Sequence, residues 1–174
     1  MVIQATIGCS FNRCTFCSMY CTKTFQVRPR DRVFADIETA ARAWPEAHRV
    51  FLADGDALVL PTDEMLAIFD KLAASFPNLA RVSSYAILAN LVKKSVDELA
   101  ALKRAKLTLL YYGLESGDAG ILRRVTKGAS PRAIIQGLGK ARDAGLKISA
   151  TVILGLGGRA HWRDHIEGAA AVVN

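Results

Sequence analysis

The residues with the most chemistry to offer lie near the start of the chain. Cys9, Cys14, Cys17 and Cys21 are its four cysteines, all within thirteen positions of a 174-residue sequence. A disulfide framework normally spreads its staples along the chain. Thiolates this close together are soft ligands suited to zinc, copper(I) or iron–sulfur clusters. The first three have the spacing C-x4-C-x2-C, inside Gly8-Cys9-Ser10-Phe11-Asn12-Arg13-Cys14-Thr15-Phe16-Cys17. Three thiolates can hold three irons of a cubane and leave the fourth open, as a catalytic metal centre requires.

Such a loop needs a rigid frame, and strand-like and helix-like segments alternate along the chain. Residues 2–7 read as a strand that delivers the cysteine loop. Residues 33–44 read as a helix that Pro45 ends, and Arg49–Ala53 as a buried strand running into Asp54-Gly55-Asp56. Thr62 is the expected N-cap of a helix carrying Met65, Leu66, Ile68, Phe69 and Leu72 at helical spacing. Residues 81–85 form a third strand, and Ser95 with Glu98 has the pattern of a capping box. Residues 107–112 form a fourth strand, and a short helix follows through Ile121 and Leu122. Ser130-Pro131 starts the next helix and Gly145 ends it. Residues 147–154 form a fifth strand, and a helix over 161–173 follows.

Repeated βα units imply a parallel sheet with right-handed crossovers. The apolar runs at 107–112 and 148–154 suit strands buried on both faces. Five units fall short of the eight of a closed barrel of ~250 residues. The expected fold is therefore α/β, a partial TIM-like (βα) barrel in one domain over residues 1–174. A composition of 51% hydrophobic and 22% charged residues supports a packed core and argues against disorder. No apolar run reaches the ~18 residues of a membrane span. The N-terminus lacks the order of a signal peptide. A cytoplasmic protein with no membrane partner is expected. The net charge of +7 reads as a solvated surface, with RNA as the alternative anionic partner. His161 and His165 lie one turn apart, but Trp162 stands where H-E-x-x-H needs Glu. Both read as ordinary polar helix residues.

The other strand ends carry polar and glycine-rich segments. They are Asp54-Gly55-Asp56, Ser83-Ser84-Tyr85, Tyr112-Gly113-Leu114-Glu115-Ser116-Gly117 and Ile153-Leu154-Gly155-Leu156-Gly157-Gly158. With the cysteine loop, this ordered set resembles the core of the radical S-adenosylmethionine (radical SAM) superfamily. The nearest branch contains oxygen-independent coproporphyrinogen oxidases, methylthiotransferases and the Elongator catalytic subunit. Gly113 to Gly117 looks like its G-x-E-S-G segment, continued by Ile121-Leu122 and Lys127-Gly128. The cysteine loop has one residue more than the common C-x3-C-x2-C.

The resemblance implies that Cys9, Cys14 and Cys17 hold a 4Fe-4S cluster whose open iron is chelated by S-adenosylmethionine. One electron then cleaves the sulfonium, and a 5′-deoxyadenosyl radical abstracts hydrogen from an unknown substrate. Phe16 matches the aromatic position near adenine. Asp54, Gly55 and Asp56 replace a Gly-Gly-Glu motif at the methionine amino group. Ser84 would face cofactor or substrate, and Glu115 would accept bonds from the ribose hydroxyls. Gly155 and Leu156 would meet adenine through their backbone. Arg123 and Lys127 are candidate cations for a carboxylate. The resemblance also implies an electron donor such as ferredoxin or flavodoxin, and about six βα units. A core truncated at its C-terminus is thus expected, with truncation at the N-terminus and inactivity of the chain alone left open.

Blander readings stand beside these. Asp and Gly are common turn formers, and a carboxylate near a helix N-terminus is favoured by the dipole. Plant-type 2Fe-2S ferredoxins share the C-x4-C-x2-C spacing but need a distant fourth cysteine, and none lies beyond Cys21. A non-catalytic protein remains the alternative, with Cys21 as fourth ligand of an electron-transfer cluster or of zinc.

Overall fold

The computed structural model describes residues 1–174. In chain order its elements begin with β1 (Val2–Gln4), β2 (Thr6–Ile7), β3 (Gln26–Val27), α1 (Arg30–Ala43), β4 (Arg49–Ala53), α2 (Thr62–Ser75) and β5 (Arg81–Ala86). They continue with α3 (Leu88–Lys93), α4 (Val96–Arg104), β6 (Leu107–Glu115), α5 (Ala119–Arg124), α6 (Pro131–Asp143), β7 (Lys147–Val152) and α7 (Trp162–Val173). Five strands make one parallel sheet in the order β1-β4-β5-β6-β7. No helix is long and apolar enough to cross a membrane.

Register decides which face each side chain takes. Ile3, Leu52, Ser84, Leu110 and Ile148 lie in one row across the sheet. This row faces the helices, where Ile37, Phe69, Leu72, Leu99, Leu102 and Ile134 complete a single core. The neighbouring row through Phe51, Ser83 and Leu109 faces the other way. On that open face Phe51, Tyr85 and Tyr111 pack edge-on, with ring centroids 4.9–6.2 Å apart.

The capping box at Ser95 forms in full: Glu98 N–H donates to Ser95 Oγ at 3.1 Å, and Ser95 N–H to Glu98 Oε2 at 2.7 Å. Ser130 caps α6 with Pro131 in its first turn, and Gly145 takes φ +80° just past its end.

Other boundaries differ from expectation, each for a local reason. The single strand expected over 2–7 breaks at Ala5, and Thr6–Ile7 pairs antiparallel with Gln26–Val27 instead. The Thr6 hydroxyl donates to Asp54 O at 2.9 Å, which holds the break. α2 starts at Thr62 behind Pro61, and Thr62 does not cap it. Its hydroxyl donates to Glu98 Oε1 at 2.7 Å instead. α3 was not foreseen, because six residues are too few to show a period. β6 continues through Gly113 to Glu115, and β7 ends at Val152.

α7 reaches the end of β6 by close backbone approach. A Cβ on Gly117 would lie 1.8 Å from Gly168 O. Gly117→Ala should therefore destabilise the fold by about 1–3 kcal/mol. For a domain of this size that lowers the thermal midpoint by roughly 2–4 °C per kcal/mol. Gly139→Ala in α6, where a Cβ meets nothing within 4 Å, serves as the control and should be neutral or mildly stabilising. Equal midpoints for the two variants would contradict the packing described.

Candidate functional site

The β2–β3 ribbon ties the base of the cysteine loop, so residues 8–25 leave and return at one point at the C-terminal edge of the sheet. Inside the loop, Cys17 N–H donates to Cys14 O at 3.1 Å and Asn12 Nδ2 to Tyr20 O at 2.9 Å. Asn12 N–H points at Cys9 Sγ, 3.4 Å away. The Cys21 thiol donates to Ser18 O at 3.1 Å. One side of the loop docks beyond α5: Thr15 N–H donates to Val125 O at 3.0 Å, and the Phe11 ring fills the space a Cβ on Gly128 would take.

Cys9 and Cys14 are half-buried, and Cys17 is exposed. Burial pushes the Cys14 thiol above its ordinary pKa. Lys127 pulls it back, while Cys9, Cys17 and Glu115 add to the rise. Cys9 and Cys17 thus lie close enough to act on Cys14. No three His, Cys, Asp or Glu side chains converge on a single metal-ion position. Three soft donors on one tethered loop fit an iron–sulfur cluster by their chemistry.

The end of β4 forms the other side of the loop's seat. A Cβ on Gly55, at φ +84°, would lie 2.3 Å from Gly8 O, so only glycine permits this approach. Asp54 accepts from Gln4 Nε2 at 3.2 Å and from Lys23 Nζ at 3.2 Å. Asp56 is fully buried. Asn90 Nδ2 reaches its two oxygens at 2.7 and 2.8 Å, and the Ser10 hydroxyl also donates to it. Burial raises the Asp56 pKa from 3.8 to about 6, against the lowering effects of Ser10, Asn90 and Lys93. Asn90 and Ser10 escaped the sequence reading. The one available signal was a polar residue inside the apolar run Leu88-Ala89-Asn90-Leu91-Val92.

At the end of β6, Glu115 is buried at φ +63°. Its Oε1 lies 3.4 Å from Lys127 Nζ. A Cβ on Gly113 would lie 2.1 Å from that same oxygen, so the carboxylate folds back over glycine. Lys127 Nζ also sits 5.8 Å from the ring centroids of Phe16 and Tyr112. The Tyr112 hydroxyl is buried without a partner. Burial raises its pKa, with smaller contributions from Glu115 and Cys14. The structure therefore brings Cys14, Phe16, Glu115 and Lys127 together, and adds Tyr112.

Ser116 Oγ accepts from Asp118 N–H at 3.2 Å and pairs with His165 Nδ1 at 2.9 Å. His165 is buried, not the ordinary polar helix residue its sequence suggested. Ser84 is not brought to the loop. It shares the helix-facing row with Leu52 and Leu110, is fully buried, and donates to Tyr85 O at 3.0 Å. Gly155 and Leu156 lie past β7 in successive turns, closed by Leu156 N–H to Ile153 O and Gly158 N–H to Gly155 O. Ile153 N–H donates to Glu115 O at 3.3 Å, so this segment starts beside Glu115.

The family model described as "Radical SAM superfamily" matches residues 3–167. No curated protein matches the sequence. Among solved structures, the cobalamin-dependent S-adenosylmethionine radical enzyme OxsB is similar, with TM-score 0.76 at 17% identity, over 95% of this chain and 26% of OxsB. Coproporphyrinogen III oxidase (HemN) from Escherichia coli, described as a radical SAM enzyme, gives TM-score 0.71 at 16% identity over 98% and 41%. Methylornithine synthase (PylB) gives 0.71 at 14% identity over 99% and 49%. The chain spans less than half the length of these neighbours. Identities this low carry the fold alone: a partial TIM barrel, of which the five parallel strands form an open arc.

Asp56 yields a pH prediction. A carboxyl that holds its proton more tightly folded than unfolded costs stability once ionised. The contribution of Asp56 to stability should therefore fall as pH rises from 3.8 to about 6, and level off above that window. A shift of about two pKa units at ~1.36 kcal/mol each gives a loss on the order of 3 kcal/mol. Asp56→Asn should remove this component. Urea unfolding at about pH 4.5 and about pH 7 should show a wild-type-minus-variant difference that changes with pH. A constant difference would refute the assignment.

Proposed function

The chain belongs to the radical SAM superfamily, and from that premise we propose that it is the core of an enzyme. In this reading Cys9, Cys14 and Cys17 bind a 4Fe-4S cluster, and the groups around Glu115 bind S-adenosylmethionine beside it. The observation that carries the reading is the placement of those three cysteines on one loop, tied at its base by the β2–β3 ribbon, at the C-terminal edge of a parallel sheet. That edge is where barrel-like α/β folds build their sites. When bound, the cluster supplies the electron that splits the cofactor into methionine and a 5′-deoxyadenosyl radical able to abstract hydrogen from a substrate.

The chain's own residues bind and orient. Three thiolates hold the cluster and leave one corner without a protein ligand. Phe16 offers a half-buried aromatic face for adenine. Glu115, fixed by Lys127, offers carboxylate oxygens to the ribose hydroxyls. Lys127 is the cation nearest that carboxylate and suits the methionine carboxylate. Gly155 and Leu156 offer backbone groups to adenine, and Gly55 keeps the loop's seat free of side chains. The redox partner proposed is a small electron donor such as ferredoxin or flavodoxin.

Anaerobic reconstitution tests this. Cys9→Ala, Cys14→Ala and Cys17→Ala should each lose most bound iron and sulfide. Cys21→Ala should keep wild-type loading. Loaded wild-type protein with dithionite and S-adenosylmethionine should release 5′-deoxyadenosine. Glu115→Gln should weaken S-adenosylmethionine binding by roughly tenfold or more, the usual worth of a charged hydrogen bond. Zinc in place of iron, or loss of the cluster in Cys21→Ala, would favour the closed, non-catalytic site. Full loading without 5′-deoxyadenosine would count against catalysis.

A further inference from the structure

Both carboxylates of Asp54-Gly55-Asp56 are already engaged, and by the cysteine loop itself. The Asp54 side chain is 5% exposed and holds Lys23 near the loop's return. Asp56 is wholly buried and takes the Ser10 hydroxyl, one residue past Cys9. Between them, Gly55 touches Gly8 backbone to backbone. Behind Asp56, the buried Asn90 amide donates to both carboxylate oxygens, which aims the remaining acceptor capacity at Ser10.

We infer that this segment is a clamp on the cysteine loop, with Asn90 and Ser10 as positioning residues, and that Asp56 is not a ligand to the cofactor's amino group. Asp56 has no exposed surface, and both of its oxygens already face the chain's own two donors, the Asn90 amide and the Ser10 hydroxyl. The clamp grips the loop at both ends. Ser10–Asp56 fixes the departure of the chain at Cys9, and Lys23–Asp54 fixes its return. Asn90 acts through Asp56 and touches no thiol. The consequence for the cluster rests on the function proposed above, whereas the clamp itself does not.

Hydrogen exchange on the full chain without metal tests the clamp directly. Ser10 is exposed, so Ser10→Ala should fold. It should speed exchange across residues 8–17 by about tenfold or more, while β6 amides stay at wild-type rates. Lys23→Met should act on residues 20–27. Asn90→Ala should reproduce the Ser10→Ala pattern; if it does not fold, Ser10→Ala decides alone. In reconstituted protein, Ser10→Ala should lose iron to a chelator several-fold faster. Asp56→Asn should bind S-adenosylmethionine within about twofold of wild type once loading is matched. Unchanged exchange in Ser10→Ala would overturn the inference. So would a tenfold or larger loss of S-adenosylmethionine affinity in Asp56→Asn with exchange unchanged. Should wild-type protein take up no iron, the proposed function falls, and the exchange data still decide the clamp.

Discussion

The contact on which the site depends is the approach of Gly55 to the Gly8 carbonyl. A strand end and the cysteine loop meet there backbone to backbone, and any side chain at residue 55 would hold them apart. The approach also buries Asp54 and Asp56 on either side. Burying a carboxylate is costly unless its oxygens are satisfied. Each therefore recruits donors from distant segments: Gln4 and Lys23 at the Asp54 carboxylate, and Ser10 and Asn90 at that of Asp56, while Thr6 bonds the Asp54 backbone carbonyl. The short β2–β3 ribbon and helix α3 belong to this arrangement. The break at Ala5 lets Thr6 reach Asp54, and α3 carries Asn90.

The opposite wall is built by a different device. β6 runs past its expected end, and its register with β7 shifts between Gly113 and Glu115. The irregularity leaves Glu115 in the left-handed region at φ +63°, a conformation costing a non-glycine residue on the order of 1–3 kcal/mol. Its neighbours hold it there. Gly113 makes room for the carboxylate, Lys127 pairs with it, and Ile153 N–H bonds to its carbonyl. Asp54, just past β4, takes φ +69°, so two strand ends at the C-terminal edge carry left-handed non-glycine backbone.

What was legible in the sequence divides along the same line. Cysteine spacing, the Ser95–Glu98 box, the Ser130-Pro131 start and the Gly145 end are local signals, and the structure has each of the latter three in place. The five parallel strands followed from their apolar runs. Asn90, Ser10 and the partners of Asp54 were not legible. Their bonds span 31 to 50 residues and leave no period in the chain. Ser84 shows the opposite failure. A hydroxyl near a strand end looked available, yet strand alternation turns it to the helices, and only register with Leu52 and Leu110 reveals that.

Charge around the loop is more ordered than a net +7 spread along the chain would suggest. Lys23 is bound to Asp54 and Lys93 acts on Asp56, so two cations near the loop serve carboxylates. Lys127 is shared: it pairs with Glu115 and also lowers the pKa of Cys14. Metal binding requires thiolates, and burial of Cys14 opposes the loss of its proton. Lys127 is the one cation acting against that penalty. Its side chain is 16% exposed, so solvent screens it weakly. One ammonium thereby links the two halves of the site: the Cys14 thiol and the carboxylate held in a strained turn beside it.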